Sequence, residues 1–375
     1  MRRALLISRN ARRPTGSVAI VHALAGRLHQ AGWEVDVYGQ QIRPQPWREV
    51  GARPIRIRTP PFLRGYGDRK TFAWFCELRR RRDQHEIVIG HGDSSHQDVL
   101  FMHNLVHRAD EVIPGGTPGI VATAGRFHKK ILSRRRFRLL IANSRLMRDD
   151  LIARFDLPPE RVRVVYPGYD PQRFRPDPSG AERHALRAKL GLPEETRLIG
   201  LVTSGDFRKR GLSLLFDAYA RLPVQLRAGT ALVIVGRDRM RPYLNQIEQL
   251  ELQAQVRFVS PNPEVEKIYQ ALDILVHPAH IEEFGLVVAE ALASGLPVIT
   301  SRQVGAAELI NDDEMLLAQP TVEGIASKLA HLLRDPAASR AWAVRGAQAI
   351  AGHTWEAYLD RVFAAMEEAE LLALG

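Results

Sequence analysis

Two glutamates, Glu282 and Glu290, stand eight positions apart in the stretch from His277 to Thr300. Between them, Leu286, Val287 and Ala289 begin an apolar series that Leu292 and Ala293 continue at helical spacing. A helix is therefore expected to start near Phe284 and Gly285 and to stop at Gly295. The amides of Phe284, Gly285, Leu286 and Val287 then become the orphan donors of a helix start, which carries partial positive charge and seats a phosphate. Gly285 lets a ligand approach the backbone. Glu290, about five residues into the helix, lies roughly 8 Å along the axis from its start. A pair of carboxyls working on one glycosidic bond in a retaining hydrolase needs about 5–5.5 Å. The two acids are better suited to holding two parts of one long ligand, each accepting hydrogen bonds from hydroxyls worth on the order of 1.5–3 kcal/mol. As a lone residue Glu290 also fits a solvated helix face, but the rest of this helix is almost wholly apolar, and an acid in such a setting needs a reason.

A second charged stretch lies upstream. Arg208, Lys209 and Arg210 are adjacent in the segment Ser204 to Gly211, between an apolar run at Arg197 to Val202 and an apolar helix pattern at Leu212 to Ala220. Three cations at a strand-to-helix turn suit a diphosphate, although a plain basic turn reads the same way.

The elements that must position these groups alternate between short apolar runs and helical patterns. Leu272 to Val276 and Pro297 to Thr300 read as strands on either side of the central helix, a βαβ unit of a parallel sheet. The first half opens in the same manner. Ala4 to Ile7 is a strand, Ser8 to Gly16 a loop, Val18 to Gln30 a helix and Glu34 to Tyr38 a strand. Gly-x-Gly-x-x-Gly is absent there, which argues against a dinucleotide oxidoreductase. Pro44 to Tyr66, rich in Pro, Gly and Arg, reads as loops with a short strand at Ile55 to Ile57. Ile87 to Gly90 and Val99 to Met102 read as strands, with a polar loop between them and His103 and Asn104 after the second. His91, His96 and His103 come from different loops without tight ligand spacing, and no Asp-x-Asp stands anywhere. No metal and no cofactor are therefore expected. Asn143 and Ser144 cap a helix that runs to Phe155. The expected class is α/β with two parallel-sheet domains facing across a cleft, the place where such folds bind ligands.

The whole-chain totals narrow the partners. At 375 residues the chain is long for one core. A hydrophobic fraction of 45% with 25% charged residues is that of a globular protein. No apolar run approaches the roughly 20 residues of a membrane helix, the opening run is short for a signal peptide, and the single Cys76 fits a reducing compartment, so a cytoplasmic location is expected. The net charge of +11 asks for an anionic partner: nucleic acid, an acidic membrane face or a phosphorylated acceptor. Arg126 to Arg138 concentrates that charge, with Phe127, Ile131 and Leu132 interleaved, a pattern open to a peripheral helix on an acidic membrane or to a plain solvated face. No nucleic-acid recognition motif accompanies it.

Glu282-Glu-Phe-Gly-Leu-Val-Val-Ala-Glu290, Ala293-Ser-Gly-Leu-Pro-Val298 and Gly305-Ala-Ala-Glu308 resemble, in order and spacing, the Glu-x7-Glu region of the family-four retaining nucleotide-sugar glycosyltransferases. The opening His277-Pro-Ala and the segment Ser204 to Gly211 look most like the branch that glucosylates lipopolysaccharide cores. The likeness is strong from Asn143 to Val322 and weak before that. It implies a GT-B fold, two Rossmann-like domains over residues 1–168 and 169–352, with 353–375 forming a helix that crosses back to the first. It implies transfer of a hexose, glucose above all, from a UDP-sugar to a hydroxyl of a lipopolysaccharide-core or similar anionic glycan or glycolipid, by same-face attack without a metal. On this resemblance Lys209 and Arg210, with Arg208 beside them, hold the departing diphosphate together with the amides of Phe284 to Val287. Glu290 holds ribose hydroxyls and Glu282 the sugar. His103 lies by the reacting sugar, and Asn104 stands where the branch has an Asp. Gly16, in Thr15-Gly16-Ser17, corresponds to a loop near the phosphates, with Ser17 on the acceptor side. The alternatives are another nucleotide-sugar enzyme of this fold, an epimerase or a synthase with a soluble acceptor, and a non-enzymatic binder of nucleic acid.

Overall fold

Apolar runs of four to six residues recur along the chain, and in the computed structural model they are the strands of two parallel sheets. Residues 2–12, 16–261 and 263–372 are described. In the first sheet β1 (Arg3–Ile7), β2 (Glu34–Gly39), β3 (Ala52–Arg56), β4 (Ile87–Gly90), β5 (Val99–Phe101), β6 (Leu139–Ala142) and β7 (Val162–Val164) lie in the order β3-β2-β1-β4-β5-β6-β7. In the second sheet β8 (Arg197–Val202), β9 (Thr230–Val235), β10 (Val256–Val259), β11 (Ile274–His277), β12 (Val298–Ser301) and β13 (Leu316–Leu317) lie in the order β10-β9-β8-β11-β12-β13. Every pairing in both sheets is parallel. Helices cover both faces of a parallel sheet, so its central strands are buried throughout and read as unbroken apolar runs, as Ala4 to Ile7 and Leu198 to Val202 do.

The chain divides into two compact units, one of residues up to Glu111, Gly115–Pro167 and Trp355 onward, the other of Val112–Pro114 and Gly168–Thr354. The last helix, Trp355–Glu368, joins the first unit because Tyr358, Val362 and Met366 fall on one face and are fully buried with Leu24 and Leu28 of α1 (Ser17–Gln30). Each such burial contributes about 1.5–3 kcal/mol. Arg27 and Asp360 pair at 2.6 Å along the edge of the same contact.

Two sequence expectations are corrected. Pro44 to Tyr66 is not mainly loop. Pro44–Glu49 is a helix with proline in its first turn, where the missing amide costs nothing. Its Trp47 is buried, and the indole donates to the carbonyl of Ala11 at 3.0 Å. The strand predicted at Ile55 starts earlier, at Ala52, because it pairs with β2 from Val35 onward. The basic segment Arg126 to Arg138 is a helix only over Arg126–Arg134, and its apolar stripe is not exposed. Phe127, Ile131 and Leu132 are buried inside the first unit, so this segment presents charge but no apolar face to its surroundings. Among the described residues no helix is long and apolar enough to cross a membrane.

In the second unit the buried Arg187 ties the helix Ala181–Leu190 to the sheet. It donates to the carbonyls of Thr196, Arg183 and Ala271, and to Asp273 Oδ2 at 2.7 Å. That same carboxylate oxygen accepts from the amide of Leu198 in β8 at 2.7 Å. Asp273→Ala is expected to leave a buried guanidinium without its counter-charge and to lower stability by about 3–5 kcal/mol, read as a drop in the urea midpoint.

Candidate active site

In the second sheet the strand order reverses between β8 and β11, which are neighbours although β9 and β10 lie between them in sequence. The connections leaving β8 and β11 pass to opposite faces of the sheet, and a crevice opens at the carboxyl ends of such a pair. The loop after β8 carries Arg208, Lys209 and Arg210. The loop after β11 carries Glu282 and Glu283 and ends in the helix Leu286–Ala293, of which Glu290 is a part.

The β8 loop is built around Phe207. Its ring is fully buried and meets Tyr243 edge-on at 5.5 Å, and its amide donates to Asp238 Oδ2 at 2.7 Å. With that anchor in place the next three residues turn outward. The amide of Arg210 donates to the carbonyl of Asp206 at 3.1 Å, and the turn ends at Gly211, in the left-handed region at φ 69°. A Cβ at Gly211 would lie 2.2 Å from the carbonyl oxygen of Pro278, so only glycine lets the two loops approach. The amide of His280 donates to the carbonyl of Lys209 at 3.0 Å across the same junction.

The β11 loop is clamped from its other side. The amide of Glu282 donates to the carbonyl of Gln303 at 2.9 Å, Gly305 donates back to Glu282 at 3.0 Å, and Ala306 donates to Phe284 at 2.7 Å. This is the structural work of the Gly305 to Glu308 segment. Gly285 precedes the helix at φ 93°, and a Cβ there would meet Val304 at 2.9 Å. The amide of Val288 already donates to the carbonyl of Gly285 at 2.9 Å, so the helix-start donors left outside the helix ladder are those of Leu286 and Val287.

Of the predicted charged residues of this unit, Lys209, Arg210 and Glu282 are brought together, each paired with an opposite charge. Lys209 Nζ donates to Glu283 Oε2 at 2.8 Å, and Arg210 forms an ion pair with Glu282. Burial alone would push the Glu282 carboxyl up, but Arg210, the nearby imidazole of His277 and Lys209 outweigh it and hold it well below the usual carboxylate range. Burial would likewise lower Lys209, and Glu283 and Glu282 reverse that and raise it. His277 is fully buried, with Nε2 3.6 Å from Glu282 Oε2, beyond a hydrogen bond but within reach of its charge. Desolvation lowers its pKa, so the ring is neutral at pH 7. Arg208 is exposed at the rim. Glu290 lies one turn deeper. Its Oε2 accepts from Tyr269 Oη at 3.0 Å, and burial pushes its carboxyl up to about 7 against the lowering effect of that bond and of Arg173.

The predicted residues of the first unit gather less closely. Gly16 (φ 56°) precedes α1 and exposed Ser17 is its first residue; Thr15 lies outside the described residues. His103 follows β5, and Asn104 beside it is exposed. His103 Nε2 lies 2.9 Å from His91 Nδ1, with the rings parallel at 5.2 Å, and His91 in turn stacks on Phe101 at 4.9 Å. Desolvation drops His103 to about 4 and pushes His91 well below the ordinary imidazole value, with the charge of His103 adding to it. Both are neutral at pH 7. One nitrogen of the pair must donate and the other accept, so the tautomer of either ring fixes that of the other. His96 is exposed and apart from this pair. Among the described residues no group of three or more His, Cys, Asp or Glu is placed to hold a metal.

Sequence reasoning gave no part in the site to Glu283, His277 or Tyr269, and weighed His91 only as a metal ligand. Glu283 adjoins a predicted acid, and His277 and His91 are polar residues at the ends of apolar strands, so a signal existed for these three. Tyr269 carried none, because its position opposite Glu290 is set by how the helix Val265–Ala271 packs.

Comparisons with known proteins place the two halves in matching families. Residues 182–349 match the glycosyl transferases group 1 family model, and residues 14–173 match the glycosyltransferase family 4 model. The lipopolysaccharide glucosyltransferase WaaG of Escherichia coli K12 is 32% identical over 197 residues, 52% of this chain and 52% of that protein. D-inositol 3-phosphate glycosyltransferase 1 of Catenulispora acidiphila is 29% identical over 72% of this chain and 66% of that protein. The matches thus span between half and two thirds of these curated relatives. Among solved structures, one of WaaG superposes with a TM-score of 0.81 at 23% identity over 97% of this chain and 99% of that one. A second, of Anabaena HepE in complex with UDP and glucose, gives 0.78 at 17% over 98% and 100%. At these identities the likeness is one of fold, and the fold is GT-B.

Two outcomes follow from the geometry. Gly211→Ala is expected to cost about 1–3 kcal/mol by forcing the two loops apart, measured by chemical denaturation. Because the Glu290 pKa is raised, the folded protein keeps a proton that the unfolded chain has lost between the ordinary glutamate value and about 7. Stability therefore falls as pH rises through that window and levels off above it. Glu290→Gln should flatten that slope, and Tyr269→Phe should move the Glu290 titration, followed by carboxyl carbon NMR, to still higher pH.

Proposed function

This chain belongs to the group 1 and family 4 glycosyltransferases of GT-B fold, and on that footing we propose that it moves a hexose, glucose first among them, from a UDP-sugar to a hydroxyl of an anionic glycan such as a lipopolysaccharide core. The observation that carries this reading is the meeting, where the strand order of the second sheet reverses, of Lys209, Arg210, Glu282 and the start of the helix Leu286–Ala293. A sugar nucleotide has an anionic middle and hydroxyl-bearing ends, and these groups match that order of charge. The donor named with the HepE structure is of the same class. The acceptors in the relatives' names, a lipopolysaccharide and an inositol phosphate, are both anionic, which suits the charge of +11.

In this reading the diphosphate enters beside Lys209 and Arg210. It takes over the positive charge that Glu283 and Glu282 satisfy in the free protein, and the first amides of the helix complete its cradle. Negative charge that grows on the leaving diphosphate meets fixed cations and a helix dipole, so departure draws on no metal. Glu282, released from Arg210, accepts from the sugar's hydroxyls, and Glu290 accepts from the ribose. The acceptor hydroxyl attacks on the face the diphosphate leaves, giving retention without a covalent enzyme intermediate. Gly16, Ser17, His103 and Asn104 are the first unit's part in handling the donor phosphates and the acceptor. The exposed cations from Arg126 to Arg138 rest on an acidic membrane face by charge alone, since their apolar neighbours are buried.

UDP and a panel of UDP-sugars should raise the melting temperature of the wild type, and Glu290→Ala should lose most of that shift. An equal shift in both proteins would remove Glu290 from the site. Lys209→Ala should lower kcat for transfer on the order of 10²–10³-fold, the usual loss when one stabilising group for developing charge is removed.

A further inference from the structure

A second set of cations lies in the first unit and takes no part in the site described above. The loops at the carboxyl ends of β1, β2 and β3 enclose a cavity of about 560 Å³. Arg9 follows β1, Arg56 ends β3 with Arg58 just beyond it, and Arg64 and Arg69 stand at the start of the helix Gly65–Asp83. Five arginines and one carboxylate, Asp68, thus line one hollow.

The five are not alike. Arg9 and Arg69 are fixed by acids. Arg9 Nη1 donates to Asp68 Oδ2 at 2.9 Å, its amide donates to Asp93 Oδ2 at 3.0 Å, and Arg69 Nη1 donates to Asp93 Oδ1 at 2.9 Å. The other oxygen of Asp68 is filled by Gln40 at 2.8 Å and Thr59 at 2.6 Å. Arg64 donates to the neutral carbonyls of Pro61 and Leu63. Arg56 and Arg58 are exposed, and among the described residues their side chains make no hydrogen bond or ion pair. Folding gains nothing by turning three uncompensated guanidinium groups toward one hollow, since like charges repel. The arrangement becomes favourable when an anion enters. A guanidinium fork matches phosphate oxygens two at a time. The volume exceeds that of a phosphate alone, and Gln40, Gln41 and Thr59 offer amide and hydroxyl groups to the hydroxyls of an attached sugar.

We propose that this hollow is a phosphate-recognition subsite, and that it takes a phosphomonoester carried on the sugar acceptor; the word acceptor rests on the transfer reading, the phosphate site does not. Arg9 and Arg69 are the preset part of the subsite. Arg56, Arg58 and Arg64 close on the phosphate from the loop side.

The test is calorimetric titration of the wild type and of the double variant Arg56→Ala/Arg58→Ala with mannose 6-phosphate, mannose and UDP, together with sedimentation on phosphatidylglycerol vesicles. Mannose 6-phosphate should bind the wild type, mannose should not, and the double variant should weaken the phosphosugar at least about tenfold, as the loss of charge-assisted contacts implies. UDP should bind both proteins equally, which also shows that the variant is folded. The proposal is overturned if mannose 6-phosphate does not bind or binds both proteins alike. It is overturned if UDP weakens in step with the phosphosugar, which would make the hollow part of the donor site. It is also overturned if the substitutions abolish vesicle binding while no phosphosugar binds, which would assign the cations to a lipid headgroup. Failure of the transfer reading looks different: UDP would not bind, and mannose 6-phosphate would still depend on Arg56 and Arg58.

Discussion

The close approach of two loops at the carboxyl ends of β8 and β11 governs the chemistry of the second unit. Gly211 lies against the carbonyl of Pro278 with no room for a Cβ, and the amide of His280 reaches the carbonyl of Lys209 across the junction. Without this contact Lys209 and Arg210 would be ordinary surface cations, and exposed pairs of that kind contribute about 0–1 kcal/mol. With it they sit beside Glu283 and Glu282 in a site screened from water, where pairing is strong and a missing partner is costly.

That pairing bears on how a crevice lined by cations survives folding. Unpaired cations held at a crevice would repel and would pull water into it. Glu282 and Glu283 neutralise them in the free protein. The same carboxylates keep the cations in position. On the proposed reading an entering diphosphate finds them ordered but has to displace the acids, and a sugar hydroxyl then takes up the freed Glu282. Glu290 is handled by a different device. It has one neutral partner, the hydroxyl of Tyr269, and burial leaves it close to half-protonated near neutrality. Its charge is therefore sensitive to anything that adds a hydrogen-bond donor.

In the first unit the charge is arranged in the opposite way. Asp68 and Asp93 fix only Arg9 and Arg69, and the loop arginines are left without acids of their own. The buried His91 and the half-buried His103 carry no charge at pH 7 and are ordered by stacking and by one shared hydrogen bond. Both units thus place polar groups at the carboxyl ends of a parallel sheet, one with charges already satisfied and the other with charges left open.

The linear pattern was enough to determine the parts that depend on neighbours along the chain. The alternation of apolar runs and helical stripes fixed the α/β class and most strands, because a parallel strand buried on both faces must be apolar throughout. The start of the helix after Gly285 and the cap of the helix after Ser144 were legible for the same local reason. The segment Pro44 to Tyr66 was not, since its helix exists to bury Trp47 against Ala11, a contact 36 residues away in the chain. The fate of the stripe Phe127, Ile131 and Leu132 was also undecided, because an amphipathic helix looks the same whether its apolar face meets a core or a membrane. The sequence named Lys209, Arg210, Glu282 and Glu290, but which acid pairs with which cation, the part of Tyr269 and the gathering of five arginines in one hollow were decided only by the tertiary structure. Those depend on the order of strands in a sheet, and strand order brings together residues that no spacing along the chain relates.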